Sequence, residues 1–149
     1  MKKLSLLILL LLSFNCLSQE TILDCKGKGQ KESEGEVVSS YSREFVLYFD
    51  EQENTVNFGD SATMCHTMKV ISGSKFSEKY KIDKKKIDYS CVVSNVILSG
   101  KNETHSDSIR INRVTGMFVT SGVKITVSEI IDTILYLSEG TCKKASNKF

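Results

Sequence analysis

Phe76-Ser-Glu-Lys-Tyr80-Lys-Ile82-Asp-Lys-Lys-Lys86-Ile87-Asp-Tyr89-Ser-Cys91-Val-Val93 carries the pattern that decides the fold class. Phe76, Tyr80 and Ile82 fall on one face of an extended chain, and Ser77, Lys79 and Lys81 on the other. After the polar segment Asp83 to Lys86 the alternation resumes with Ile87, Tyr89, Cys91 and Val93. Two runs of period two around a short polar turn predict a β-hairpin.

The same period extends outward in both directions. Upstream, Phe45 to Phe49 is a dense run of strand formers, Asp50 to Asn54 is a charged turn, and Val56 and Phe58 share a face, which predicts a second hairpin. Leu23 and Cys25 share one face of a first strand, and the polar, glycine-containing segment Lys26 to Gly35 reads as a loop. Downstream, Ile109 and Ile111 alternate with Arg110 and Asn112. Val114, Thr115 and Gly116 then turn the chain into Met117 to Thr120. Val123, Ile125 and Val127 are placed inside, with Lys124, Thr126 and Ser128 outside.

Residues 128–137 read two ways. Ile130, Ile131, Ile134 and Leu135 fit a helical stripe with Ser128 as N-cap, whereas the wealth of Ile, Thr and Tyr favours a strand. A short helix or bend leading into a last strand, Thr133 to Cys142, is expected. Roughly seven to nine short strands with at most one helix predict an all-β fold, a compact antiparallel barrel or sandwich. Proline is absent, so the turns fall to Gly, Asn, Asp and Ser.

Residues 1–18 have the layout of a secretory signal: Lys2 and Lys3, an apolar run from Leu4 to Leu12, and the small Ser18 before the cut. The run is too short to span a bilayer. Residues 19–149 are expected to be one exported β-rich domain, periplasmic or secreted. A lipid anchor through Cys16 is the alternative, although Ser13, Phe14 and Asn15 do not resemble the small residues that lead up to a lipidated cysteine. Removing the leader takes away Lys2 and Lys3 and no acid, so the 20 basic and 18 acidic residues become equal in number. A near-neutral domain lacks the concentrated positive field that nucleic acid or a membrane surface requires. The expected partner is an extracytoplasmic protein or glycan, with no nucleic acid and no transmembrane segment in the mature chain. An outer-membrane barrel is disfavoured, because Ala145 to Lys148, before the terminal Phe149, do not alternate and the strands read as shorter than a membrane crossing needs.

The leader's ending Asn15-Cys16-Leu17-Ser18-Gln19, the run Phe45-Val-Leu-Tyr-Phe-Asp50, the turn Ile111-Asn-Arg-Val-Thr-Gly116 and the closing Gly140-Thr-Cys142 resemble features of small exported bacterial β proteins. The resemblance implies that the two ends of the domain lie together. Cleavage after Ser18 leaves Cys25, Cys65, Cys91 and Cys142, an even set in an oxidising compartment, for which two disulfides are the default. Sequence alone does not choose among the three connectivities. The expected one joins Cys25 to Cys142, across first and last strands of a closed sheet, and Cys65 to Cys91, which flank the hairpin. No close C-x-x-C pair suggests zinc.

Candidate chemistry is sparse. His66 follows Cys65, but neighbours in a strand face opposite ways and cannot pair, and His105 lies in Lys101 to Asp107, which reads as a solvated loop. No G-x-S-x-G, S-x-x-K or phosphate-loop motif is present, and Gly27, Gly29 and Gly35 do not open a helix. Asn102-Glu103-Thr104 matches a glycan acceptor and is expected to stay unmodified. Lys79, Lys81, Lys84, Lys85 and Lys86 could form an anion-binding ridge, against the blander reading of a solvated edge hairpin. No catalytic, cofactor or metal residue is assigned. The expected function is a non-enzymatic binding or inhibitor-type protein, and the alternative is an exported enzyme whose site no motif reveals.

Overall fold

The computed structural model describes residues 20–59 and 63–145. The expected leader, residues 1–18 with Cys16, lies outside them. The chain forms β1 (Thr21–Ser33), β2 (Glu36–Asp50), β3 (Thr55–Phe58), a short helix α1 (Met64–Met68), β4 (Lys75–Ile82), β5 (Lys86–Leu98), β6 (Lys101–Asn112), β7 (Met117–Val127) and β8 (Ile131–Lys144). The strands make one antiparallel sheet in the order β3-β2-β1-β8-β7-β6-β5-β4, curled into a nearly closed barrel in which the edge strands β3 and β4 approach each other. The choice between barrel and sandwich is thereby made.

Asx side chains shape the turns that proline does not. Asp50 Oδ1 accepts the Gln52 and Glu53 amides at 2.8 and 3.0 Å. Asp83 Oδ1 accepts those of Lys85 and Lys86 at 2.8 and 2.9 Å. Asn112 Oδ1 accepts those of Val114 and Thr115 at 2.9 and 3.1 Å. In each case a short carboxylate or amide satisfies backbone donors that the ladder leaves unpaired.

Three expectations change, and the expected bend and last strand are present with the strand starting two residues earlier, at Ile131. Lys26 to Gly35 is mostly strand, not loop, because β1 is hydrogen-bonded on both sides, to β2 and to β8. Gly27 faces Gly140 there, and a Cβ on either would collide with the opposing backbone, so glycine permits the pairing. Residues 131–137 are strand, preceded by a bend at 128–130, because β7 offers Ile131 to Leu137 a continuous ladder. Lys101 to Asp107 is the first half of β6. The phase of β7 is also inverted: Phe118, Thr120, Gly122, Lys124 and Thr126 point inward, while Val119 and Val127 are exposed. Phe118 packs edge-on against Phe45 at 5.1 Å and fixes the pleat, and an exact period of two carries that choice along the strand.

The strands are also longer than expected, up to 15 residues in β2. Sidedness therefore bears on a membrane barrel more than length does. Leu47, Ile87, Ile111 and Phe118 fill the interior, while Lys26 pairs with Glu44 and Asp88 with Arg110 on the outside. A membrane barrel presents an apolar band outward. No described helix is long and apolar enough to cross a membrane.

Cys25 and Cys142 are register partners across β1 and β8 and are joined by a disulfide that links positions 117 apart in sequence. Closing a loop of that length in the unfolded chain is worth about 4–5 kcal/mol in the chain-entropy picture. The first and last strands are side by side, as the sequence implied.

Candidate functional site: a buried dithiol and carboxylate inside the barrel

The barrel interior is divided. One end is apolar, filled by Phe45, Leu47, Phe49, Val56, Ile87, Tyr89, Ile109, Ile111 and Phe118. Toward the other end β5 keeps buried Val93 and Val96, but the inward positions of β6 and β7 become Glu103, His105, Asp107, Thr120, Lys124 and Thr126, while Tyr41 and Arg43 of β2 and Tyr136 of β8 line an interior cavity of about 180 Å3 together with Asp107 and Thr120.

Helix α1 brings chemistry to this boundary. Thr63 caps it, its hydroxyl accepting the His66 amide at 3.2 Å and lying 2.9 Å from His66 Nδ1. One turn of helix is enough to bury Cys65 completely. The Cys65 amide donates to Asp107 Oδ2 at 3.1 Å, and its sulfur lies 3.7 Å from the His105 carbonyl oxygen. Cys91 reaches the same point from the inner face of β5, and the two sulfurs and an Asp107 carboxylate oxygen all lie within 4.8 Å of one another. Gly122 makes room on β7, since a Cβ there would collide with Asp107 Oδ1.

The expected partners Cys65 and Cys91 are therefore brought together, but as free thiols and not as a second disulfide. They share a hydrogen bond that pushes Cys65 far up, with burial adding to the rise. The same bond draws Cys91 down, and the Tyr89 and Thr63 hydroxyls assist against the opposing effect of burial. Tyr89 is pushed up by burial and by its neighbours Cys91 and Glu78, and its hydroxyl donates to Glu78 Oε2 at 3.0 Å.

His66 sits on helix and not on strand, among Phe58, Phe76 and Tyr89, with Nε2 3.4 Å from Glu78 Oε2. Burial, then the charge of Lys69, holds it below the usual imidazole range. It packs beside the thiols as an aromatic ring whose polar edge faces Thr63 and Glu78.

His105 is not in a loop at all. It is fully buried on β6, with Nε2 2.9 Å from Glu103 Oε2, and Lys124 Nζ lies 2.7 Å from Glu103 Oε1. Burial alone would raise Glu103, but hydrogen bonds from Lys124 and His105 outweigh it and hold the carboxyl below its usual range. Glu103, Asp107 and Lys124 were missed by sequence reading. A signal existed: Glu103, His105 and Asp107 are spaced by two and in phase with Ile109 and Ile111, so they continue the inner face.

The lysine ridge breaks into parts. Lys79 and Lys81 line an open outer groove of about 630 Å3 across β4 to β7, with Tyr80, Asp88, Arg110 and Val119. Lys84 and Lys85 belong to the turn, and Lys86 is paired to Asp88 at 2.7 Å. Hydrogen bonds from Lys86 and then Arg110 draw Asp88 below the usual carboxylate range.

Fold and site together define an all-β, disulfide-closed barrel with a buried dithiol and carboxylate cluster. No family model, curated protein or solved structure matches the chain.

Proposed function

We propose that the chain is an exported, non-enzymatic binding domain whose outer groove across β4 to β7 receives an anionic extracytoplasmic protein or glycan. The observation that carries this reading is the make-up of the groove. Lys79, Lys81 and Arg110 face a single carboxylate, Asp88, beside the exposed side chain of Val119. Cations around a part-apolar floor suit an acidic, extended ligand. Export accords with the Cys25–Cys142 disulfide, a bond that persists in oxidising compartments.

The test is affinity capture of cross-linked partners from the cell envelope and culture medium, run with the native protein and with a Lys79→Glu/Lys81→Glu/Arg110→Glu variant. A partner retained by the former and lost by the latter is expected. Equal capture by both would remove the groove from consideration. A second reading, an exported enzyme, draws on one observation: Tyr41, Arg43, Asp107, Thr120 and Tyr136 converge on the interior cavity of about 180 Å3. That volume falls below the several hundred Å3 of ordinary small-molecule sites, which favours the groove.

A further inference from the structure

We infer that Cys65, Cys91 and Asp107 form a metal site for a borderline-soft divalent cation of the zinc type, held inside the barrel where α1 meets β5 and β6. The inference is independent of the outer groove. Two thiolates and one carboxylate are a donor set that zinc accepts, with sulfur at about 2.3 Å and oxygen at about 2.0–2.2 Å. Two sulfurs bound to one tetrahedral centre lie about 3.7 Å apart. This is compatible with the 4.8 Å within which the three ligand atoms already fall.

The surroundings meet the further demands of a metal centre. Asp107 Oδ2 is oriented by the Cys65 amide at 3.1 Å, and the Thr63 hydroxyl caps the helix that carries Cys65 by accepting the His66 amide at 3.2 Å. Such outer contacts fix ligand geometry. Asp107 also lines the interior cavity, which supplies an approach to the cluster and space for a water as fourth ligand. Both sulfurs are buried, Cys65 at 0% and Cys91 at 1% exposure, which bars them from exchanging with a protein disulfide and suits a structural ion. Binding releases two protons, one from each thiol, and leaves the site with one net negative charge beside the Arg43 that shares the cavity.

The purified protein, reduced and oxygen-free, is titrated with Co2+ alone and then with Zn2+. Expected are a thiolate-to-cobalt charge-transfer band and intense tetrahedral visible bands that saturate at one ion per chain and collapse when zinc is added. Cys65→Ser/Cys91→Ser should abolish the charge-transfer band. Asp107→Asn, which keeps both sulfurs and the shape of the side chain, should weaken cobalt binding by at least about 10-fold while circular dichroism stays that of the β fold. Three results would overturn the inference: no charge-transfer band in the folded, reduced protein; the same band in the double variant; or native protein that arrives metal-free with Cys65 and Cys91 joined.

Discussion

The two ends of the barrel interior solve the problem of burial in opposite ways. At the apolar end, Phe45, Leu47, Phe49, Ile87, Ile111 and Phe118 are removed from water without needing partners. At the polar end inward charges are set against partners: Lys124 and His105 meet Glu103, and Asp107 takes the Cys65 amide, while among the described residues His105 Nδ1 is left without a hydrogen-bond partner. Burying charge costs free energy unless it is compensated. The contrast shows which half holds the barrel together and which half has chemistry to spare.

The largest effect should come from the apolar end. Phe118→Ala removes the ring that packs on Phe45 and is expected to cost about 3–5 kcal/mol in urea unfolding. A loss under about 1 kcal/mol would mean that Phe118 and Phe45 are not closely packed at this end. Next is Glu103→Ala, which leaves Lys124 and His105 facing a vacated site. About 3 kcal/mol is expected, the lower part of the range for a broken buried pair, because Lys124 keeps 25% of its side-chain surface exposed. The contrast between the ends sharpens with Glu103→Leu/His105→Leu/Lys124→Met, which replaces all three partners and should recover most of that loss. Apolar replacement of a compensated pair is close to neutral, whereas no second substitution restores Phe118.

The smallest effect is on pH. His66 is held below its usual range, so the folded state resists a proton that the unfolded chain accepts. Its contribution is full above about pH 6.5 and is lost as pH falls from there through the lower folded value. Glu103 is likewise depressed, so its contribution is full above about pH 4.3 and disappears as pH falls through its folded value. Stability should therefore decline on acidification in two stages, and His66→Gln should erase only the upper one. An upper stage that survives in this variant would assign it to another group.

The same contrast explains what the sequence revealed. Period two in Phe76 to Val93, and in Ile109 and Ile111, marked strands because apolar side chains on one face announce burial directly. Cys25 and Cys142 were legible as partners because the first and last strands of a closing sheet become neighbours. Glu103, His105 and Asp107 were read as solvent-facing because polarity at an inward position looks like a loop until the compensating Lys124 is known, and that residue is 21 positions away from Glu103, on another strand. The inverted phase of β7 has the same origin: Val119, Val123 and Val127 are the more apolar set, but Phe118 outweighs them in the core and leaves Lys124 inside. Helix α1 gave little warning, since five residues are too few to display a helical period.

One measurement addresses the disulfide-closed barrel, its two unbridged thiols at the polar boundary and the proposed export together. Native protein collected from the cell envelope and medium is alkylated without reduction, digested and mapped by mass spectrometry. The expected map starts at Gln19 or Glu20, contains Cys25 linked to Cys142, and shows Cys65 and Cys91 alkylated only after denaturation. A chain that begins at Met1 with all four of these cysteines unlinked, or one in which Cys25 is joined to Cys65 or Cys91, would contradict it.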